Sequence, residues 1–298
     1  MTAFCRVCSS SKPFDVVTRS LRDSRFSVVC CTDCETSFLD PMPRLDEIRA
    51  IYSADYYKAW GMEAGETTEV ASIKKMTFAK RIQDIRQYVR TGKILDVGTA
   101  SGFFLEVARD AGFEPFGIEL SEYSGPIAAR KFGEDHIHIG TLETAPFPPG
   151  TFDAVAMSDL LEHVTDPIEV LRLANRLLKP GGFLLIMTPN THSLSRRLMG
   201  ENWTHYKLEH LNYSNPGSME VMARTTGFRV ASCKPAEKVM NLAYLRSQLT
   251  VYRHWALTPA VRFLHALCRP FAAAPVSLTM GEMVAILQKQ EPSGDRVN

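Results

Sequence analysis

A doubly wound α/β fold with a mostly parallel sheet, preceded by a small metal-stapled module, is what this 298-residue sequence predicts. Three observations carry that expectation. From Lys93 onward, apolar runs of strand length alternate with helix-patterned segments, the pattern of a parallel sheet covered on both faces. The first run ends in a glycine-rich turn, Asp96-Val97-Gly98-Thr99-Ala100-Ser101-Gly102, that leads into a helix. Five of the seven cysteines fall within the first 34 residues, four of them as two Cys-x-x-Cys pairs.

With 45% hydrophobic and 22% charged residues, the chain can bury one full-sized core and carry a small accessory unit. A formal net charge of +1 leaves no broad field to attract nucleic acid or an anionic membrane, so no nucleic-acid partner is expected. Met1-Thr2-Ala3-Phe4-Cys5-Arg6 lacks the basic and apolar regions of a secretory signal, and no uninterrupted apolar run is long enough to cross a bilayer. A cytoplasmic protein without a transmembrane segment is therefore expected.

In a reducing compartment, clustered cysteines point to a metal rather than to disulfides. Cys5-Arg6-Val7-Cys8 and Cys31-Thr32-Asp33-Cys34 are separated by 22 residues, slightly beyond the usual spacing of zinc pairs yet suited to a short ribbon. Four thiolates complete a tetrahedral zinc shell and leave no position for a reacting water, so the expected Zn2+ is structural. Residues 15–18 and 26–29 read as two short strands, with too few apolar residues to fold without a staple. Cys30 competes with Cys31 as a ligand, although only Cys31 has the two-residue spacing to Cys34; Cys233 and Cys268 read as core residues. The expected division is a zinc ribbon at 1–43, a helical linker and lid at 44–92, the main domain at 93–236 with 281–290, and a helical insertion or cap at 237–280.

Within the linker, Leu45-Asp46-Glu47-Ile48-Arg49-Ala50-Ile51-Tyr52 has helical spacing and residues 61–66 read as a loop. Ile73, Met76, Ile82, Ile85 and Val89 mark an amphipathic helix ending near Thr91-Gly92. Strands are then expected at 93–97, 114–120, 137–140, 152–158 and 182–188, with helices at 103–111, 122–132 and 167–178, an order that makes the domain Rossmann-like. A late helix and strand follow at 221–226 and 227–230, and a final strand at 283–287.

The glycine turn is not a dinucleotide fingerprint, because Ala100 stands at the second glycine position. Asp96 would repel a pyrophosphate but suits a cationic amino group. Glu119, 23 residues further on at the end of the second strand, is placed to accept from both ribose hydroxyls. A nucleoside with a positively charged amino-acid tail fits both acids. Together with Gly140-Thr141-Leu142-Glu143, Phe152-Asp153-Ala154-Val155 and Leu177-Leu178-Lys179-Pro180-Gly181-Gly182, these residues strongly resemble the class I S-adenosylmethionine-dependent methyltransferases over about residues 70–235. The resemblance implies that Asp96, Gly98, Thr99 and Gly102 line the methionine end. It implies further that Glu119, followed by Leu120, holds the ribose, that Leu142 and Glu143 flank the adenine, and that Ser158 closes the pocket.

Methyl transfer to a hydroxyl or carbon acid needs an aligned acceptor and a proton acceptor. Two constellations compete for that role. Asp159-Leu160-Leu161-Glu162-His163 follows the fourth strand and matches the acid-x-x-Glu-His segment that some quinone-biosynthesis O-methyltransferases use around a divalent cation, here Mg2+. The other is the aromatic, His-dense run Trp203-Thr204-His205-Tyr206-Lys207-Leu208-Glu209-His210-Leu211-Asn212-Tyr213. With the zinc ribbon and Tyr56-Tyr57, it resembles the zinc-containing deoxysugar C-methyltransferases of bacterial antibiotic and surface-polysaccharide pathways. That resemblance implies proton transfer by Tyr57 or Tyr56, Glu209 and His210, and His210 is preferred over His163 as base. The chain ends about where that family's extra C-terminal domain would begin.

Between Glu237 and Met280, Tyr244-Leu245-Arg246-Ser247-Gln248-Leu249 and Val261-Arg262-Phe263-Leu264-His265-Ala266-Leu267 read as two helices. A cap over the acceptor pocket comes first, a homodimer face second, and shallow membrane docking third, since Pro259 and Pro270 interrupt the pattern. The leading expectation is methylation of a hydroxyl or carbon of a nucleotide-linked or polymer-bound sugar. The alternatives are O-methylation of a small phenol or quinone, and a docking scaffold whose ribbon draws basicity from Arg6, Lys12, Arg19, Arg22 and Arg25.

Overall fold

The computed structural model describes residues 4–18, 25–44, 46–48, 69–242, 246, 257–267 and 274–291. Tyr56, Tyr57, Arg19, Arg22, Cys268 and most of 244–249 lie outside them. The main sheet has seven strands in the order β10-β11-β8-β7-β4-β5-β6. Five run parallel: β4 (Gly92–Val97), β5 (Phe113–Glu119), β6 (Ile137–Ile139), β7 (Phe152–Ser158) and β8 (Leu178–Pro189). β11 (Val276–Lys289) is antiparallel to both of its neighbours, β8 and β10 (Phe228–Met240). Helices α1 (Glu69–Arg86), α2 (Phe103–Asp110), α3 (Gly125–Phe132), α4 (Pro167–Leu177), α5 (Leu194–Met199) and α6 (Pro216–Thr225) surround it.

Alternate residues of the central strands feed two apolar layers, as a sheet covered on both faces requires. Leu95, Val155, Met157, Leu184 and Ile186 join one layer with Leu171 of α4 and Met219 of α6. Ile94, Ala154, Ala156, Leu185 and Met187 join the other with Ile82 of α1 and Phe104 of α2. The amphipathic helix before β4 is present but ends at Arg86, short of the expected Thr91-Gly92. Among the described residues no helix is long and apolar enough to cross a membrane.

The expected helical insertion at 237–280 needs correction at both ends. β10 runs on to Met240 and β11 starts at Val276, pairing as one long hairpin around α7 (Leu257–Leu267). Register breaks between Val230 and Ser232 and between Pro235 and Glu237 interrupt the in-out alternation, which hides the strand from a period-two reading. The N-terminal module also extends beyond its expected two strands. β1 (Phe14–Thr18), β2 (Ser27–Cys31) and β3 (Ser37–Asp40) form an antiparallel sheet whose fourth strand is β9 (Asn212–Tyr213), from the main domain. Four residues ending before Pro41 are too short a run for β3 to announce itself.

Candidate active site

Past β4 the backbone turns through Gly98 (φ 82°), Ala100 (φ 48°) and Gly102 (φ 88°) into α2. A side chain at Gly98 would need the left-handed conformation and would press on Leu160, whose Cδ1 lies 3.3 Å from the Cβ position. The turn thus requires glycine at this position. Asp96 is buried, which raises its carboxyl to about 7; the neighbouring Thr99 side chain opposes the shift and the Glu119 charge adds to it. Glu119 caps β5, its Oε2 accepting from the Ala100 N–H at 2.7 Å and its Oε1 from the Ser121 N–H at 2.8 Å. Burial raises its pKa against those two hydrogen bonds. The hydroxyls of Ser101 and Ser158 are buried without a hydrogen-bond partner among the described residues. Leu142 is packed into the core, whereas Leu120 and Glu143 are exposed at the rim. Two buried acids at strand ends, hydroxyls without partners among the described residues and a left-handed glycine turn fit a nucleoside with a cationic tail.

Along the same carboxyl edge, Asp159 (φ 54°) turns the chain from β7 into a 3-10 turn, Leu161–His163. Glu162 accepts from Thr188 Oγ1 at 3.0 Å; burial, then the Asp159 charge, push its carboxyl up to about 8. His163 Nδ1 lies 2.9 Å from the Glu209 carbonyl, and because a carbonyl only accepts, Nδ1 carries the hydrogen and Nε2 keeps its lone pair. Burial lowers His163 to about 4 and pushes His210 well below its ordinary range, with His163 and Lys207 adding to the latter. The two imidazoles meet edge to face at 4.8 Å between centroids, and His210 Nδ1 is buried without a hydrogen bond among the described residues. One ligand atom each from Glu162, His163 and His210 lies within 4.8 Å of the others. The two segments that compete in the sequence therefore form one site, joined by the Leu211 N–H donating to the Glu162 carbonyl at 2.7 Å. Glu209 enters this cluster through its backbone carbonyl.

Residues 73–232 match a family model described as a methyltransferase domain, more than half of the chain. The chain belongs to the class I S-adenosylmethionine-dependent methyltransferases. It is 31% identical over 159 residues to a ubiquinone biosynthesis O-methyltransferase of Thiobacillus denitrificans, covering 48% of this chain and 67% of that protein. A protein of the same name from Pseudomonas aeruginosa is 34% identical over 105 residues, 33% of this chain and 44% of the relative. In fold, it is similar to a Haemonchus contortus phosphoethanolamine N-methyltransferase solved with phosphomonomethylethanolamine and S-adenosylhomocysteine, at a TM-score of 0.53 and 18% identity over 86% of this chain and 63% of that one.

Two side chains that sequence reasoning missed, Glu282 and Lys238, lie at the Asp159 end of this edge. Glu282 of β11 lies 2.8 Å from Lys238 Nζ of β10 and 3.4 Å from His205 Nε2. Burial alone would raise Glu282, but the Lys238 ammonium and His205 bring it down to about 2. Lys238 also reaches Asp159 at 3.2 Å. A single acid inside the apolar run Gly281-Glu282-Met283-Val284-Ala285-Ile286-Leu287 was the available signal.

The N-terminal cysteines of the methyltransferase fit a metal. Cys5 Sγ is 3.5 Å from Cys34 Sγ, and Cys8 Sγ is 3.7 Å from Cys31 Sγ. Tetrahedral zinc with bonds of about 2.3 Å requires sulfur separations of about 3.8 Å. Each knuckle repeats one backbone design. The residue four past the first cysteine, Ser9 or Glu35, is left-handed and donates to that cysteine's carbonyl, and the cysteine's own N–H donates to Ser10 or Thr36. Cys30 turns its thiol to the Cys31 carbonyl instead.

Proposed function

We propose that this methyltransferase O-methylates a hydroxyl on a small phenol- or quinone-like metabolite, with Glu162, His163 and His210 receiving the acceptor's proton. The observation that carries the reading is the buried convergence of these three groups at the carboxyl edge that also bears Asp96 and Glu119. Bound at that edge, S-adenosylmethionine supplies an electrophilic methyl group. Asp96 answers its ammonium and Glu119 its ribose hydroxyls, while the turn at Gly98 admits the tail. His210 takes the acceptor proton, and the Glu162 group within 4.8 Å stabilises the resulting imidazolium in its ionised form, which its raised value of about 8 makes more populated as pH rises. Burial makes His210 a weak base, and a phenol with tyrosine-like acidity near about pKa 10 is a far easier proton donor to it than an alkyl hydroxyl. The relatives named for ubiquinone biosynthesis move the acceptor in the same direction, away from the sugar expected from the deoxysugar resemblance.

A screen of labelled methyl transfer to catechols, phenols and nucleotide sugars tests this. Turnover of phenolic acceptors that collapses in His210→Ala supports the proposal, and turnover restricted to nucleotide sugars overturns it. A second reading, a divalent ion held by Glu162, His163 and His210, is favoured by their separations. Two imidazoles with one carboxylate suit a transition ion such as zinc or iron better than Mg2+, which prefers oxygen ligands. Unchanged turnover in chelator, with the cysteine metal retained, sinks that reading. The four thiols are assigned a structural Zn2+. The expected homodimer would bury Phe263, Leu264 and Leu267, which α7 exposes, and sedimentation at two concentrations tests it.

A further inference from the structure

The cysteine module shares its sheet with the segment that carries Glu209 and His210. Asn215 Nδ2 donates to the Glu35 carbonyl at 3.0 Å, one residue past the metal-side Cys34. Ser37 and Phe38 then pair with Tyr213 and Asn212, and the Leu39 N–H donates to the Leu211 carbonyl at 3.1 Å. From the other side of the same segment, the Leu211 N–H donates to the Glu162 carbonyl at 2.7 Å, Asn212 Nδ2 to the Val164 carbonyl at 2.5 Å, and His163 Nδ1 to the Glu209 carbonyl at 2.9 Å. Residues 209–213 are thus held between the second knuckle and the 3-10 turn. The apolar packing divides: Val28 and Leu39 of the module share a cluster with Trp203, Leu211 and Tyr213, whereas Cys5, Cys31, Cys34 and Phe38 join the main-sheet layer that also holds Leu161, Leu95 and Val97.

We infer that the metal-bound cysteine module is the outer wall of the acceptor site, and that its metal sets the position of His210, Glu162 and His163 through β3 and β9. The module's sheet is short and its strands end in turns, so the second knuckle fixes where β3 begins: Cys31 accepts from Glu35 N and donates to Thr36 O, directly before Ser37. Loss of the metal releases that turn, then the β3 edge, and then the His210 segment. The cofactor turn at 96–102 hangs from β4 and β5 in the middle of the main sheet; it touches the module's side only through the apolar layer of Leu95 and Val97, and this chain of hydrogen bonds does not reach it. Metal loading then governs acceptor-side chemistry and leaves cofactor binding intact. The inference rests on the zinc assignment of the four thiols and on the acceptor-site reading above.

Hydrogen exchange by mass spectrometry on the full-length protein, as purified and after zinc removal with a mercurial and chelator, tests it, with elemental zinc and S-adenosylhomocysteine binding measured on the same samples. Zinc loss is expected to speed exchange about tenfold or more at 35–39, 209–213 and 161–164, leave 93–102 protected, and leave S-adenosylhomocysteine affinity within about twofold. Zinc readdition restores the protection. Faster exchange confined to 4–40 shows an autonomous module and overturns the inference, as does equal loss of protection at 93–102, where the metal would hold the whole fold. Asn215→Ser supplies the second measurement, because serine still caps α6 but has no amide to donate to Glu35. It should retain about one zinc per chain and show faster exchange at 209–213 with lowered kcat; unchanged exchange and kcat there overturn the coupling. Protein that neither contains nor takes up zinc overturns the metal assignment, and Asn215→Ser then decides the strand coupling by itself.

Discussion

The proposed cofactor half and the proposed acceptor half share one edge of one sheet but are built by opposite routes. Apart from Ser158 of β7, the proposed cofactor half is one stretch from Asp96 to Glu143, made of turns that leave the adjacent strands β4, β5 and β6 in succession. The acceptor half gathers Asp159 to His163, His205 to His210, Lys238 and Glu282 from four separated segments. One is specified by local turn chemistry and the other by tertiary contact. Burial treats their charges differently as well: Asp96 and Glu119 have no cation beside them among the described residues, whereas Glu282 is balanced by Lys238.

The sharpest way to separate the halves is His210→Ala, which should lower kcat by about 100- to 10,000-fold, the usual worth of a general base, while S-adenosylhomocysteine affinity stays within about twofold. Equal loss of both would mean that the halves are not separable. Lys238→Met leaves Glu282 buried without its cation and should cost about 3–5 kcal/mol of unfolding free energy in urea, with much of it recovered in the double variant Lys238→Met/Glu282→Gln. A single variant as stable as wild type would show that the pair carries no structural weight. On the cofactor side, Glu119→Ala removes a charged acceptor for two hydroxyls and should raise the dissociation constant of S-adenosylhomocysteine about 10- to 100-fold by calorimetry, with the module's zinc unaffected.

The smallest effect is a pH dependence. Asp96, raised to about 7 in the unliganded protein, must give up its proton to meet the ligand's ammonium. Binding therefore releases a proton, and affinity should rise about tenfold from pH 6 to pH 8 before levelling off. Stability of the unliganded protein runs the other way, falling as pH climbs from the unfolded carboxylate value to about 7, because the folded state holds that proton longer. Asp96→Asn should flatten both profiles; a flat profile in the wild type would mean that Asp96 is already ionised.

The same contrast explains what was legible. Gly98, Gly102 and Glu119 announce themselves because a strand, a tight turn and a helix follow one another within the chain, so spacing alone fixes geometry. Cys5, Cys8, Cys31 and Cys34 are legible for the same reason. Glu162 and His210 each look like a rival site in sequence, because nothing local records that the Leu211 N–H bonds the Glu162 carbonyl. Lys238 sits past a register break at Pro235, where alternation no longer tells in from out. β9 is two residues long and has meaning only beside β3.

β11 occupies the place between β8 and β10 although it is the last strand among the described residues. During synthesis, β8 must wait with one edge unpaired and β10 without a neighbour until β11 has emerged, and the same late arrival delivers Glu282 to Lys238. A nascent chain can shape the turn at 96–102 early, yet it acquires the Lys238–Glu282 pair only once β11 is out. Premature termination before residue 276 would therefore leave β8 open along one edge and β10 unpaired, an aggregation-prone fragment.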